Sequence, residues 1–373
     1  VRRLTGGPWQ VEAVYGLDAA KTQVFFQATE KDPRERHVYR VKLDGTGLTR
    51  ISKEAGTHRA LLAPGGDYWI GTFSSISTPP RIELLRGDGE RVRTLSAGTI
   101  PALDRYELGP IELGTLHTDD GETLYTSLIK PPDFDPSKKY PVLVYVYGGP
   151  RAQMVRNRWG GRRSLFFHYL AQQGLVVFWL DNRGSWGRGK AFEAVIHRKL
   201  GEWELKDQVT GVEYLKGQPW VDGERIGVYG GSYGGYMALT CMLKAPEHFK
   251  VGIAYAPVTD WRFYDTIYTE RDMDTPRDNP EGYRRSAPLH FASGLRGKLL
   301  LFHGTMDNNV HLQNTVQMIE ELVKAGKQFE LMLYPRVRHG IRTSRFKLHF
   351  HKQKAEFLVR NLARAGFRAT KPQ

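Results

Sequence analysis

Two patterns of hydrophobic and polar positions divide the chain. In roughly the first hundred residues, short runs of β-branched and aromatic side chains alternate with turn residues and show no helical period; the clearest runs are 23–27, 37–41 and 67–71. From about residue 106 onward, short apolar runs alternate with stretches of helical period. This change predicts a β-rich N-terminal part followed by an α/β part.

The α/β part is predicted to form a doubly wound sheet with helices on both faces. Strands are predicted near 111–116, 123–130, 142–147, 175–180, 225–229, 251–255, 298–303 and 329–334. Helices are predicted near 164–173, 189–197, 204–216, 234–244, 311–325 and 346–364. We place the boundary near Asp104, which gives domains 1–104 and 105–373. No flexible linker marks the boundary, so we expect close packing of the two.

The β-rich part contains a weak internal repeat. Similar triplets recur about every 44 to 47 residues, at 3–5, 50–52 and 94–96. Asp-Gly pairs at 44–45 and 88–89 occupy hairpin-turn positions. A four-stranded propeller blade takes about 40–50 residues, so the repeat predicts one incomplete blade followed by about two complete ones. A propeller normally needs at least four blades. With no initiator Met and no signal peptide, Val1 is expected to lie inside a longer chain.

The most informative motif is Gly230-Gly231-Ser232-Tyr233-Gly234-Gly235, a G-x-S-x-G pattern. A short strand-like run, 225–229, precedes it, and an apolar helical run, 236–243, follows it. A serine in a Gly-rich turn is often only a turn residue. Between a strand and a helix, the same pattern predicts a nucleophile elbow that exposes Ser232 Oγ above the sheet.

A serine nucleophile needs a base, and the base needs an orienting acid, in the order Ser, Asp or Glu, His for this fold class. Asp307 follows the predicted strand 298–304, and His339 follows the predicted strand 329–335. Both would therefore lie at the carboxyl edge of the sheet. The weighed alternatives are Asp260, which suits a helix N-cap, and the late histidines His303, His311, His349 and His351.

An oxyanion hole needs hydrogen-bond donors aimed at the developing charge. One is expected to be the N–H of Tyr233, which follows the nucleophile. The other is expected from Tyr147, which ends a buried run before Gly148-Gly149-Pro150. The pattern alone leaves open whether Tyr147 is a donor or one more strand aromatic. It also leaves open whether the aromatic residues at 261, 264 and 268 form a pocket or a helix packing face.

Several motifs together resemble the prolyl oligopeptidase family, in particular its dipeptidyl peptidase IV branch. They are the segments 147–150, 181–185, 230–236, 264–271 and 303–310. The resemblance implies that the doubly wound sheet is that of an α/β-hydrolase. It implies a triad of Ser232, Asp307 and His339, with Tyr147 and the Tyr233 N–H as oxyanion donors. It implies a pocket for the proline ring, lined by Tyr233, Val258, Trp261, Tyr264, Tyr268 and Val310. It also implies that Asn309 contacts the substrate carbonyl.

The resemblance implies a serine exopeptidase that releases N-terminal X-Pro or X-Ala dipeptides from peptides and forms a homodimer. Two positions depart from the branch: Gly231, where tryptophan is frequent, and Asn308, where a second aspartate is frequent. The paired glutamates that hold the substrate amine in that branch are not recognisable here. The alternatives are an acylaminoacyl or tripeptidyl peptidase, an esterase, or a non-catalytic binding protein on the same scaffold.

Composition narrows these possibilities little. No apolar run reaches the ~18 residues of a membrane helix, and no C-x-x-C, H-E-x-x-H or P-loop motif indicates a metal or nucleotide cofactor. The one cysteine, Cys241, cannot form an intrachain disulfide and is expected in the core. The relatives secreted by animals carry disulfides, so the resemblance favours a bacterial protein of the periplasm or medium.

The net charge of +14 is concentrated near the end of the chain, where residues 336–373 contain 11 Lys or Arg and one Glu. These cations are not interleaved with aromatic residues in a nucleic-acid-binding motif. Many fall on one face of the last predicted helix. We therefore expect a solvated basic face and no nucleic-acid partner.

Overall fold

The computed structural model describes residues 2–363 and divides into two compact units. The first contains the chain up to Glu107 together with Val155–Leu165 and Trp186–Phe192. The second contains Leu108–Met154, Phe166–Ser185 and the chain from Glu193 onward. Among the described residues, no helix combines the length and apolar character that a membrane crossing requires.

The first unit contains two four-stranded antiparallel sheets, each in simple up-and-down order. The first sheet consists of β1 (Val11–Leu17), β2 (Gln23–Ala28), β3 (His37–Lys42) and β4 (Thr49–Arg50). The second consists of β5 (Thr57–Leu62), β6 (Tyr68–Ser74), β7 (Arg81–Arg86) and β8 (Arg91–Ser96). This is the architecture of propeller blades, as the repeat predicted. The incomplete blade expected before them is not seen, because residues 2–10 form no strand.

The Asp-Gly pairs lie in the turns before β4 and β8. Gly45 and Gly89 have φ values of 86° and 92°, which only glycine adopts at little cost. At Gly89 an added Cβ would also lie 2.3 Å from the Ile51 carbonyl oxygen. Turn chemistry therefore explains why these pairs recur at the repeat spacing.

The second unit is built on one eight-stranded sheet in the order β16-β15-β14-β13-β11-β12-β10-β9. Its strands are β9 (Ile111–His117), β10 (Thr123–Ile129), β11 (Tyr140–Tyr145), β12 (Val176–Asp181), β13 (Val221–Gly231), β14 (Val251–Tyr255), β15 (Lys298–Gly304) and β16 (Glu330–Tyr334). The β9–β10 and β10–β12 pairs are antiparallel, and the other pairs are parallel. The predicted α/β-hydrolase sheet is thereby confirmed.

Between residues 2 and 363 the chain forms eight α-helices. They are α1 (Gly161–Gln172), α2 (Lys190–Ala194), α3 (Glu202–Lys216), α4 (Tyr233–Lys244), α5 (Thr266–Met273), α6 (Pro280–Ser286), α7 (Gln313–Lys324) and α8 (Ser344–Leu362). Six lie close to the predicted stretches. The short helices α5 and α6 carry no long periodic pattern, so hydrophobic periodicity did not indicate them.

Helix α4 runs through the interior, and the side chains from Tyr233 to Leu243 are all buried. Cys241 is among them and is a free, fully buried cysteine, as expected for a small core residue. Helix α8 differs from its prediction in one respect. Arg345, Lys347 and Lys352 are exposed, but Lys354 is only 2 % exposed and belongs to the core.

Candidate active site

The turn between β13 and α4 holds Ser232 in an unusual backbone conformation. Its φ and ψ are 60° and −120°, which a non-glycine residue rarely adopts. Two glycines make the turn possible: a Cβ at Gly230 would lie 2.1 Å from the Gly234 oxygen, and one at Gly234 would lie 2.3 Å from the Val146 oxygen. The strained turn is the feature expected of a nucleophile elbow.

Ser232 is hydrogen-bonded to two further side chains in series. The Oγ atom of Ser232 lies 2.9 Å from Nε2 of His339, and Nδ1 of His339 lies 2.8 Å from Oδ2 of Asp307. Because the carboxylate can only accept, Nδ1 carries the proton and Nε2 is free to accept the serine hydroxyl proton. The structure thus brings together the three residues that the sequence predicted as nucleophile, base and acid.

The Asp307 carboxylate is held by several donors. Its Oδ1 accepts the N–H groups of Asn309 and Val310 at 2.9 and 3.1 Å. Burial alone would raise the pKa of Asp307, but hydrogen bonds from His303, His339 and the Asn309 N–H hold that pKa well below its usual range. The carboxylate is therefore ionised throughout the pH range in which a histidine base works.

His303 is a contact of Asp307 that sequence reasoning weighed only as an alternative base. It is fully buried, with Nε2 at 2.8 Å from the Val310 oxygen and 3.5 Å from Asp307 Oδ2, and with Nδ1 at 2.7 Å from Thr315 Oγ1. Since a carbonyl only accepts, Nε2 carries the proton. The sequence carried one signal for this contact: His303 is a polar residue near the end of an apolar strand, four positions before Asp307.

The other weighed residues lie elsewhere. Asp260 caps the short turn Trp261–Phe263 by accepting from Arg262 N, which is the role that its position suggested. His349 is hydrogen-bonded to the Tyr334 hydroxyl through Nδ1, and the ring of His351 packs on that of Phe166. His311 is exposed.

Tyr147 lies just beyond β11 and beside the nucleophile turn. Its ring centroid is 6.1 Å from that of Tyr233, and a Cβ at Gly149 would lie 2.9 Å from atoms of both rings. Burial raises the pKa of Tyr147, so its phenol stays protonated and can donate. The turn is held by Asn182, whose side-chain amide donates to the Gly148 oxygen at 3.0 Å.

The predicted pocket residues form a continuous aromatic cluster. Trp261 lies 5.2 Å from Tyr233, 6.0 Å from Tyr264 and 6.1 Å from Tyr268, measured between ring centroids. The Tyr264 hydroxyl donates to Asn309 Oδ1 at 2.6 Å. Tyr264 and Tyr268 are the partly exposed members of this cluster, so their rings are the ones that a ligand can contact.

Two further residues predicted for the pocket are buried aliphatic side chains. Val258 is 2 % exposed, and Val310 is fully buried beside the acid. Val310 is therefore connected to the Ser232–His339–Asp307 series, because its N–H donates to the Asp307 carboxylate. For Val258 the structure shows burial alone.

Glu204 is a second buried group that sequence reasoning missed. It lies on α3, and its Oε1 accepts from the Tyr233 hydroxyl at 2.6 Å. The signal was a charged residue on the core-facing stripe of an amphipathic helix, where an apolar residue is usual.

Two family models match the chain. Residues 163–365 match the model of the prolyl oligopeptidase family, and residues 1–80 match that of the dipeptidyl peptidase IV (DPP IV) N-terminal region. The chain is 36% identical over 380 residues to dipeptidyl peptidase 8 of Homo sapiens, which covers 96% of this chain and 42% of that protein.

A solved structure is also similar. The dipeptidyl peptidase 4 of Porphyromonas gingivalis superposes with a TM-score of 0.92 at 40% identity, over 97% of this chain and 51% of that one. The chain therefore spans about half the length of the relatives that it matches, or less.

Proposed function

Since the chain belongs to the prolyl oligopeptidase family, we propose that it carries the catalytic part of a serine peptidase that releases dipeptides from the free amino end of peptides. The observation that carries the proposal is the series Ser232–His339–Asp307, with hydrogen bonds of 2.9 and 2.8 Å, beside an aromatic cluster. Relatives of this chain bear dipeptidyl peptidase names.

The proposed reaction proceeds by acyl transfer. His339 Nε2 takes the hydroxyl proton as Ser232 Oγ attacks the carbonyl carbon of the penultimate residue, the second from the amino end of the substrate. The Tyr147 hydroxyl and the Tyr233 N–H donate to the oxyanion. The C–N bond then breaks as His339 returns the proton to the leaving amine. Water, deprotonated by His339, hydrolyses the acyl-enzyme and restores the serine hydroxyl.

The proposed preference for proline or alanine at the penultimate position rests on the aromatic cluster. The faces of Trp261 and Tyr268 lie nearly parallel, with an interplanar angle of 19°. A pyrrolidine ring is rigid, so its burial against such faces costs little conformational entropy. We assign Tyr233, Val258, Trp261, Tyr264, Tyr268 and Val310 to this pocket, and Asn309 to a contact with the substrate carbonyl.

The first test is hydrolysis of a Gly-Pro chromogenic amide by the full-length protein, beside its N-acetylated form. We expect cleavage of the free-amine substrate alone, and its abolition in Ser232→Ala with an unchanged melting temperature. Cleavage of the acetylated substrate would show that no free amine is required and would move the protein to another branch of the family. Absence of both activities, or activity retained in Ser232→Ala, would refute the proposed function.

We also propose that residues 1–104 and 105–373 are the propeller and peptidase domains, and that the full-length protein is a homodimer. The first follows from the change of sequence pattern near Asp104 and from the internal repeat, and the second follows from the family resemblance. Sedimentation of the full-length protein at micromolar concentration tests the second, and a mass of one subunit would exclude it.

A further inference from the structure

Helix α3 presents polar side chains where an amphipathic helix presents apolar ones. Glu204, Asp207 and Gln208 occupy positions i, i+3 and i+4 on the buried stripe, ahead of Val212 and Leu215. All three are essentially inaccessible to solvent. Buried polar groups in folded proteins have hydrogen-bond partners, so the partners of this face indicate what it holds in place.

The partners lie in the loops that carry the proposed oxyanion donors. Gln208 Nε2 donates to Asn182 Oδ1 at 3.1 Å, and Asn182 donates in turn to the Gly148 oxygen in the turn after Tyr147. Asp207 accepts from Arg183, the neighbour of Asn182, through both carboxylate oxygens. One helix face therefore supports the loop after β12 and, through it, the turn that holds Tyr147.

Glu204 contacts the other donor residue directly. Its Oε1 accepts from the Tyr233 hydroxyl at 2.6 Å, and its Oε2 accepts from the Gly201 N–H at 2.9 Å. Tyr233 follows Ser232 and begins α4, where the first N–H groups have no partner inside the helix. Its ring is 3 % exposed and is wedged between Tyr236 and Trp261, each 5.2 Å away.

We propose that Glu204 is a positioning residue: by holding the Tyr233 phenol, it fixes both the main-chain N–H aimed at the oxyanion and the ring that lines the pocket. This inference rests on the proposed function, because it concerns the same site. A buried phenol that loses its acceptor must turn to find another. The Tyr233 ring and N–H belong to one residue, so such a turn is transmitted to the adjoining strained backbone of Ser232.

The charge state of Glu204 gives the inference a signature. Burial raises the pKa of Glu204 to about 7, although hydrogen bonds from Tyr233 and the Gly201 N–H favour the ionised form. The titratable groups that face it are Asp207 on α3 and three residues of α4, Tyr233, Tyr236 and Lys244. Asp207 is itself paired with Arg183. Near neutral pH the carboxyl group therefore exchanges between its two forms.

Only the carboxylate accepts from both of its partners. If Oε2 carried the proton, two donors would face each other, because the main-chain N–H of Gly201 points at Oε2 and cannot reorient. The acid proton must therefore lie on Oε1 and point to the Tyr233 oxygen. The phenol then loses Glu204 as its acceptor. Glu204→Gln has the same restriction, because its amide oxygen must face Gly201 and its NH₂ must face Tyr233. The amide therefore reproduces the protonated acid at every pH.

The test measures the rate at which a fluorophosphonate labels Ser232 in the full-length protein between pH 5 and pH 9. In this reaction Oγ attacks phosphorus, fluoride leaves, and His339 takes the serine proton. The phosphoryl oxygen needs the same donors as a peptide oxyanion, but the reagent needs no proline pocket and no free amine. Glu202→Gln is the matched control, since Glu202 is two positions away on α3, part-exposed and paired with Arg285.

We expect Glu204→Gln to label about 10- to 100-fold more slowly than the wild type at pH 8–9, less than the roughly 10²–10³-fold loss when a donor is removed outright. The ratio should fall towards one below pH 6, because the wild type then carries the protonated acid. Taking the ratio cancels every pH dependence that the variant and the wild type share. Glu202→Gln should match the wild type throughout.

Tyr233→Phe keeps the ring and gives a second measurement if Glu204→Gln does not fold. Its ratio to the wild type should show the same pH dependence, and adding Glu204→Gln to it should cost little more. A ratio that does not change with pH, in either variant, overturns the inference and leaves the proposed function intact. A wild type that is not labelled at Ser232 overturns both.

Discussion

At the scale of single residues, the proposed chemistry depends on which atoms carry protons. Asp307 accepts from two main-chain N–H groups and from His339, and these bonds leave His339 with its Nε2 lone pair facing Ser232. His303 also contacts the Asp307 carboxylate through Nε2, and its Nδ1 is hydrogen-bonded to the Thr315 hydroxyl. In the proposed mechanism, the tautomer of His339 therefore activates Ser232 as much as its proximity does.

Asp307→Asn should lower kcat by about 10⁴-fold, because an amide NH₂ facing Nδ1 favours the tautomer with its proton on Nε2. The measurement is steady-state hydrolysis of the Gly-Pro amide at pH 8, with the melting temperature as the control for folding. A loss below tenfold would remove Asp307 from the proposed triad.

Tyr147→Phe should lower kcat by roughly 10²-fold with a smaller change in KM, because the phenol donates to charge that develops only in the transition state. Tyr169→Phe is the control, since it removes a phenol from an exposed residue. Equal values of kcat for wild type and Tyr147→Phe would contradict the assignment.

At the scale of elements, the sharp connection between β13 and α4 determines where the nucleophile lies. The strand and the helix meet so closely that Gly230 and Gly234 contact each other and the Val146 oxygen through backbone atoms alone. Val146, the residue that follows β11, thus limits the size of residues in the turn. The turn also imposes the positive φ of Ser232.

Gly230→Ala should destabilise the protein by roughly 3 kcal/mol or more, because its Cβ would overlap backbone atoms that cannot rotate away. Gly217→Ala is the matched control: Gly217 has φ −71°, and its added Cβ would lie 3.4 Å from the nearest atom. Thermal unfolding compares the two. A melting temperature of Gly230→Ala equal to that of Gly217→Ala would show that the turn can relax.

At the scale of the whole molecule, Lys354 is a charge-bearing group inside the core. Its Nζ lies 2.9 Å from the Tyr229 hydroxyl and 4.1 to 4.3 Å from the ring centroids of Phe166, Tyr229 and Phe350. Among residues 2–363 it forms no ion pair. Burial holds the pKa of Lys354 well below its ordinary value.

This depression links stability to pH. Between the folded-state pKa and the ordinary value of 10.5, the unfolded chain binds more protons than the folded one. The free energy of unfolding therefore rises with pH across that window. At pH 7 the lysine destabilises the fold, by about 1.4 kcal/mol for each unit by which its pKa is lowered within the range from 10.5 down to 7.

Lys354→Met should stabilise the protein at pH 7 by roughly 1–3 kcal/mol, and the gain should shrink as the pH approaches 10. Lys352→Met, an exposed position on the same helix, should leave stability and its pH dependence unchanged. Urea unfolding at pH 7, 8.5 and 10 measures both. A constant difference between the two variants across this range would refute the linkage.

Local patterns were sufficient to predict much of the molecule. The alternation of apolar runs and helical stretches placed the strands of the sheet within a few residues, because burial on both faces requires runs that a sequence displays directly. The Gly-rich elbow and the positions of Asp307 and His339 after strands also followed from the sequence. Short helices such as α5 did not, because they have too few turns to show a period.

What the sequence by itself determined is therefore local: which segments are strands, where the turn at Ser232 occurs, and which residues follow strand ends. The tertiary structure alone decided the contacts that join distant segments. Three features depend on such contacts: the approach of His303 to Asp307, the hydrogen bond between Glu204 and Tyr233, and the burial of Lys354. The physical reason is that hydrogen-bond partners and desolvation depend on neighbours in space. The sequence alone does not distinguish a polar residue in water from the same residue in a core.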